Sequence, residues 1–409
     1  MTETKKLGGF SLFTLWFGAS ISLAEIMTGS LLAPLGIKTG ILVILLGHLI
    51  GTLILSLTGI IGFKEKKPAL VSSRMSLGRY GSYIISLFNI IQLTGWTAIM
   101  LIQCSRAMQS MTDKLFGFNN LTTLIVITGI LVAIWAFNNA NGISVINNLA
   151  VMLLLVLCLL MLNTILSGGS IKPIHDTISI GLALELSIIM PLSWVPLISD
   201  YTMSGKTFTG SFFGSFAGYF LGSSFMYIMG LLFSLYSGSS DPVVLLSSLN
   251  MGVAALLILI LSTVTTTFLD VYSAVMSTLN LSSKLSRRKL IILFASLGTL
   301  LAIFFPMENF ENFLYMIGSL FAPAFSVILA DYFIYKQDHS LSLFNIPGII
   351  AMISGIAAYY VFLSKDLVIG TTIPAMMFTV LAYLIIRWLL RATQNIYSTR
   401  IEGEKQNAQ

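Results

Sequence analysis

The sequence predicts an all-α polytopic membrane protein of about 12 transmembrane helices, forming one domain over residues 1–409, and three observations carry that prediction. Hydrophobic residues make up 56% of the chain and charged residues only 9%, with a mean hydropathy of +0.92, a balance outside the range of soluble globular proteins. Apolar stretches of the roughly 20 residues needed to cross a hydrocarbon core recur along the whole chain. Lys and Arg also sort between alternate connecting segments. With the N-terminus inside, 17 of the 22 fall on the cytoplasmic side, and only Lys38, Arg106, Lys114, Lys172 and Lys365 fall on the other. By the positive-inside rule, both termini of this multi-pass protein are expected in the cytoplasm, with the chain in the cell membrane. The net charge of +6 therefore serves orientation, and no nucleic-acid partner is read from it. Cys104 and Cys158 each sit in an apolar run and imply no disulfide framework.

Span one, near 10–35, follows Lys5 and Lys6 and runs on with no convincing cleavage site, so it reads as a span and not as a removed signal. Spans two to six lie near 40–62, 82–110, 121–138, 143–166 and 178–201. Spans seven to twelve lie near 208–236, 250–280, 290–305, 312–335, 346–363 and 370–390. A set of five spans is odd, so a second set beginning at span six enters the membrane from the opposite face. That parity permits inverted repeats over about 10–166 and 178–335, with extra helices over about 346–390.

Span one, FSLFTLWFGASISLAEIMTGSLLAPLG, is interrupted by Gly18, Ser20, Ser22, Glu25 and Gly29. Span six carries Pro191 and Pro196 within MPLSWVPLISD. Proline removes a backbone donor and clashes with the preceding turn, so a continuous helix is not expected there. Non-helical backbone at membrane depth is tolerated only against protein or a watery cavity. Broken spans at corresponding places in two halves point to a transporter's binding site, whereas a proline kink that only shapes packing is the competing reading of span six alone.

In span three, Asn89, Gln92, Trp96 and Gln103 share one helical face. A flat ring stacked on Trp96 with its edge bonded to Gln92 suits a mostly apolar pocket oriented by a few polar groups; hydrogen bonding between helices is the alternative use of such a stripe. Glu25, Glu185 and Asp270 sit within spans, where a charge costs ~3 kcal/mol or more, and no Lys or Arg lies inside a span to pair with them. Glu185, in the outer half of span six, is expected to reach the surface. Glu25 and Asp270 are the candidates for ligand recognition. A carboxylate accepts from the exocyclic amine of an aminopyrimidine and, when protonated, donates to the adjacent ring nitrogen. Asp270 also shares a polar face with Ser262, Thr266, Ser273 and Ser277. The hydroxyls of Ser262, Thr263, Thr265, Thr266 and Thr267 offer oxygen ligands for a hard cation, unless they bond back to carbonyls of their own helix. His48, His175 and His339 are far apart and form no H-E-x-x-H arrangement, and no G-x-S-x-G elbow occurs. Neither an enzyme nor a cofactor is expected. A solute channel is the remaining different class, distinguished by flux without saturation or coupling.

WFGASISLAEIMTGSLLAPLG of span one, Gln92 to Trp96, PLSWVPLISDY of span six and YMIGSLFAPAFSVILADYFI of span ten resemble the nucleobase:cation symporter-1 transporters over nearly the whole chain. The span-ten stretch, with its Gly, mid-helix Pro and terminal Asp-Tyr, is the most specific. With NIPGIIAMISGIAAYY and GTTIPAMMFTVLAYL, the chain looks most like the branch assigned to hydroxymethylpyrimidine, the pyrimidine precursor of thiamine, which is related to cytosine permease. The resemblance implies a LeuT-type 5+5 inverted repeat plus two C-terminal helices, working by alternating access. It also implies a flat heterocycle bound between spans one, three, six and eight, so that Ser193 and Trp194 join Glu25, Gln92, Trp96 and Asp270 as expected substrate contacts. The implied sodium site uses the carbonyls of Ala19, Ser22 and Ser262 with the hydroxyls of Thr265 and Thr266; a proton on Glu25 or Asp270 is the alternative coupling ion. Two departures stand out. Thr265, Thr266, Thr267 and Asp270 replace the asparagine-rich turn of cytosine permeases, which argues against cytosine, and Met203 replaces the Arg that follows the Asp-Tyr of span six. Cytosine, another purine or pyrimidine, and allantoin are the alternative substrates. The expected partners are the pyrimidine, the coupling cation and the lipid bilayer.

Overall fold

A computed structural model of the chain describes residues 6–138, 145–167, 171–172, 174, 176–238 and 252–407, so His175 and the 239–251 segment before span eight lie outside the described residues. Span one is two helices, Gly9–Ser20 and Leu23–Ser30. Spans two to six are Gly36–Glu65, Gly81–Phe116, Leu121–Asn138, Val145–Leu166 and Ile180–Thr202. Spans seven to twelve are Phe208–Ser237, Gly252–Leu281, Arg287–Phe304, Met307–Tyr335, Ile346–Lys365 and Thr372–Asn407. Among the described residues, ten helices are long and apolar enough to cross a membrane, or 11 with the bent pair of span one. Span nine, which opens on Arg287, Arg288 and Lys289 and so carries more charge, is the twelfth.

The break in span one follows from its polar middle. Ser22 leaves the helix for extended backbone and caps the second half, accepting from the Glu25 N–H at 3.4 Å, the usual work of an N-cap serine. The halves bend by 60°. Ser22 and Glu25 have the spacing of a capping box, in which the Glu would fold back on its own helix start. Glu25 turns instead to span seven.

Span six departs from the expectation of a matching break. Pro191 is accommodated inside Ile180–Leu192, and the helix is interrupted only at Ser193 and Trp194, before Val195–Thr202 with Pro196 in its first turn. Both residues keep right-handed dihedrals, so the halves form one 23-residue span not bent beyond 40°. The interruption still changes the backbone bonding. Leu197 N–H bonds Trp194 at 2.9 Å, which leaves the Ser193 carbonyl without its helical donor.

Packing sets the middle of the molecule apart from its rim. Of the central windows, 78% is buried in span six and 83% in span ten, against 28% in span eleven and 22% in span twelve. The first two are core helices, and the last two face outward. Span one packs on seven and span two on six; three pairs with nine as four does with eight, and five lies on eight as three does on ten. Each of these six pairings has a counterpart among them when spans one to five are exchanged with six to ten. Spans one and seven approach closely through two glycines: a Cβ at Gly29 would meet the Tyr227 carbonyl oxygen at 2.3 Å, and one at Gly230 would meet that of Ile26 at 2.0 Å.

Glu185 does not reach the surface. It is fully buried, and its carboxylate accepts from Tyr359 Oη and Thr372 Oγ1 at 2.6 Å each and from the N–H groups of Thr371 and Thr372 at 2.7 Å each. These N–H groups begin span twelve and have no partner inside their own helix, so a carboxylate from span six caps it. Depth along a helix does not report which way a side chain points, and Glu185 points inward. At the far end of span twelve, Tyr383 and Arg387 donate to Asp331 of span ten at 2.8 and 2.9 Å. Asp200, whose neighbourhood lacks the family's Arg, accepts from the Ala69 N–H at 2.8 Å.

Candidate substrate and ion site

One cavity opens where spans one, three, six and eight meet, with about 640 Å³ of atom-free space, part of it open to solvent. Each span contributes residues at helical spacing: Ala19, Ser22, Ala24 and Glu25 from span one; Gln92, Leu93, Trp96 and Met100 from span three; Met190, Ser193, Trp194 and Leu197 from span six; Thr266, Leu269, Asp270 and Ser273 from span eight. In spans three, six and eight, spacings of one, three and four residues put each set on one face, and in span one the set lies across the break between its two helices. The walls are mostly apolar with a few polar groups, the composition of a small-molecule pocket.

The polar groups offer acceptors. Gln92 Nε2 donates to the Ser193 carbonyl and to Asn89 Oδ1, both at 2.8 Å, so span three supplies the donor that span six lost at its interruption. A carbonyl only accepts, which fixes the amide orientation. Gln92 Oε1 is then left buried without a hydrogen-bond partner. Asp270 is half-buried on the cavity wall, and among the described residues no hydrogen bond reaches it. A molecule carrying N–H donors on an edge satisfies both.

Two indoles stand on the walls. Trp96 is braced by T-shaped contacts with Phe313 at 5.2 Å and Phe310 at 6.2 Å; Trp194 is braced likewise by Trp16 at 5.8 Å and Tyr219 at 6.4 Å. Side chains held this way lose little further freedom on binding a ring. The rest of the span-three stripe joins helices: Asn89 donates to Ser277 Oγ at 2.8 Å, and Gln103 to Met27 Sδ at 3.0 Å.

Ala19, Ser22 and Thr266 line the cavity, whereas Ser262 and Thr265 do not. The hydroxyls of Thr265 and Thr266 both bond the Ser262 carbonyl, at 3.1 and 2.7 Å. Three oxygens from one helix turn therefore cluster, and Thr266 shares the cavity wall with Ala19 and Ser22 at the break of span one. A cation taken there requires both hydroxyl hydrogens to rotate away.

Glu25 lines the same cavity, but its oxygens are engaged from span seven, by Tyr219 Oη at 2.8 Å and Ser223 Oγ at 2.7 Å. Ser223 Oγ in turn lies 2.7 Å from His48 Nε2 of span two. The sequence reading missed Tyr219, Ser223 and His48. Tyr219, Ser223 and Tyr227 step by four along span seven, a signal that was available; His48 was weighed only as part of a metal or hydrolase motif.

Residues 2–386 match the family model described as permease for cytosine/purines, uracil, thiamine, allantoin. Among solved structures, the chain is similar to Mhp1, a nucleobase-cation-symport-1 family transporter, in a closed conformation with bromovinylhydantoin bound; identity is 19%, the TM-score is 0.79, and 95% of this chain and 94% of that chain are covered. Inward-facing Mhp1 matches at 19% identity and a TM-score of 0.80 over 95% and 92% of the two chains. A Na+-coupled sialic acid symporter, substrate-bound and outward-open, matches at 14% identity and a TM-score of 0.63 over 93% and 88%. These likenesses establish a shared fold. None of the curated proteins matches the chain at a significant level.

Proposed function

The chain belongs to the family of permeases for cytosine and purines, uracil, thiamine and allantoin, and from that premise we propose that it imports an aminopyrimidine, hydroxymethylpyrimidine first, by symport with a cation under alternating access. The observation that carries this reading is the cavity itself, where Gln92, with its Oε1 buried and unpartnered, and Asp270 line a space walled by Trp96 and Trp194. The exchange symmetry of the span pairings supports two inverted repeats, and the distribution of Lys and Arg supports cytoplasmic termini. Uptake of labelled hydroxymethylpyrimidine by cells carrying only this transporter tests the substrate. Unlabelled hydroxymethylpyrimidine should compete far better than cytosine; competition by cytosine alone would replace the substrate and keep the family.

Stacking on Trp96 gives a measurable expectation. Trp96→Ala should weaken heterocycle binding by roughly 1–3 kcal/mol, the worth of a base stacked on an aromatic side chain, and Trp96→Phe should keep much of the affinity. Equal affinity of folded, purified Trp96→Ala and wild type assigns the indole to packing against Phe310 and Phe313.

For the cation, the reading is sodium held by the carbonyls of Ala19, Ser22 and Ser262 and the hydroxyls of Thr265 and Thr266. Valine at 265 or 266 keeps the shape and removes a ligand. Sodium should then lose its enhancement of heterocycle binding, about 5- to 150-fold for a typical coupling, and the heterocycle should lose its enhancement of sodium binding by the same factor. Wild-type binding that ignores sodium would leave these hydroxyls as helix contacts.

A further inference from the structure

The contacts behind Glu25 form a chain whose hydrogens can be counted. His48 Nδ1 lies 2.9 Å from the Ile44 carbonyl, which only accepts, so Nδ1 carries a hydrogen and Nε2 is the variable nitrogen. Ser223 Oγ touches both Nε2 and Glu25 Oε2, each at 2.7 Å. Two hydrogen bonds need two hydrogens, and the serine hydroxyl has one. The second must sit either on Glu25, with Ser223 donating to a neutral His48, or on His48 Nε2, with Ser223 donating to the Glu25 carboxylate. With no added proton, one contact sets lone pair against lone pair and leaves a net negative charge in a fully buried place; with two, the serine hydrogen has no acceptor left in the chain. A single added proton satisfies both contacts and leaves the site without net charge.

We propose that Glu25, Ser223 and His48 form a one-proton site at the back of the cavity, whose loading is linked to heterocycle binding and is separate from any sodium site. Of the three, only Glu25 lines the cavity, so the proton arrives there from cavity water. Glu25 then passes its hydrogen to Ser223 Oγ as Ser223 passes its own to His48 Nε2, and the reverse transfer unloads the site. Spans one, two and seven each contribute one member, and the glycine contacts at Gly29 and Gly230 hold spans one and seven close enough for the relay.

Other titratable groups on the surrounding helices have partners of their own or are buried, Cys158 of span five among them. From span seven, Tyr219 donates to Glu25 Oε1, with the Met190 carbonyl at 3.4 Å as its second acceptor, and Tyr227 donates to the Leu186 carbonyl, with its ring 4.5 Å from that of His48. On span six, Glu185 is held by Tyr359 and Thr372, and Asp200 by Ala69, while the Tyr201 ring packs on Trp16. Cys104 of span three is buried. Asp270 of span eight also lines the cavity, and the test must separate it from Glu25.

This inference rests on the reading of the cavity as a heterocycle site, so it is tested both with and without heterocycle. In weakly buffered solution at fixed sodium, purified wild type should take up protons on binding hydroxymethylpyrimidine. Its affinity should fall by as much as tenfold per pH unit as the site unloads. Glu25→Gln should take up none and bind with an affinity flat in pH, while Asp270→Asn keeps the pH dependence. Ser223→Ala retains both titrating groups and cuts their link, so its pH profile should be displaced from that of wild type, which a merely structural serine would not do. Without heterocycle, infrared spectra of wild type should show a pH-dependent carboxylic acid band that is missing in Glu25→Gln. A pH-flat wild type that still binds heterocycle, or a dependence lost in Asp270→Asn and kept in Glu25→Gln, overturns the proton site and leaves the permease reading standing. A wild type that binds no heterocycle defeats the substrate reading alone, and the infrared band still decides the proton site.

Discussion

Replacing Asp270 with asparagine is expected to collapse most of the preference for an aminopyrimidine over its amine-free analogue. On the proposed reading, the exocyclic amine brings two N–H donors to two acceptors without partners among the described residues, the Asp270 carboxylate and Gln92 Oε1. A hydrogen bond to the charged carboxylate contributes about 1.5–3 kcal/mol and one to the neutral amide oxygen about 0.5–1.5 kcal/mol, so losing both donors should weaken binding by roughly 30- to 2,000-fold. A site built to hydrogen-bond discriminates this strongly because its own groups are stranded when the ligand cannot answer them. The asparagine amide accepts more weakly than a carboxylate and cannot exchange a proton with the ring nitrogen, so the gap between the two ligands should narrow, mainly by loss of affinity for the parent. Were Asp270 a carrier of the coupling proton instead, Asp270→Asn would spare equilibrium binding and abolish only gradient-driven accumulation. If neither binding nor accumulation changes, Asp270 is structural.

A loss of similar size is expected in stability when Glu185 is replaced by alanine. The four donors it satisfies come from the start of span twelve and from Tyr359 of span eleven, and all lie in a dry interior. A buried donor left without its partner costs about 1–3 kcal/mol, and the N–H groups of Thr371 and Thr372 cannot turn to another acceptor as the hydroxyls can. Thermal unfolding in detergent should show Glu185→Ala well below wild type. Glu185→Gln should fall between, since its amide can serve only one of the two donor pairs. A Glu185→Ala protein as stable as wild type would mean that water or a rearranged start of span twelve meets these groups.

The positions of the spans were legible because hydropathy and the placement of Lys and Arg are properties of the chain itself. Gln92 and Asp270 were also legible as candidates, since polar groups in the middle of an apolar run must face protein or water; Trp96 shares the helical face of Gln92, and Ser193 and Trp194 came from the family resemblance. What they touch was not. That Gln92 would serve the Ser193 carbonyl depends on which backbone bond span six gives up, and the chain gives that bond up at Ser193 and Trp194 instead of at Pro191. Glu185 was misjudged because its donors lie more than 170 residues away in sequence. His48 broke the same rule of mid-span polarity that drew attention to Glu25, and motif spacing hid it, because its partner comes from span seven.

The central claim is that the cavity carries an aminopyrimidine by cation symport. The most direct measurement is accumulation of labelled hydroxymethylpyrimidine in proteoliposomes holding the purified protein, with sodium and proton gradients imposed separately and together. The account predicts saturable uptake that rises above the external concentration while an inward cation gradient persists and collapses to equilibrium when the gradients are abolished. Unsaturable flux that equilibrates at the same rate with or without any gradient would contradict it, and would make the protein a channel.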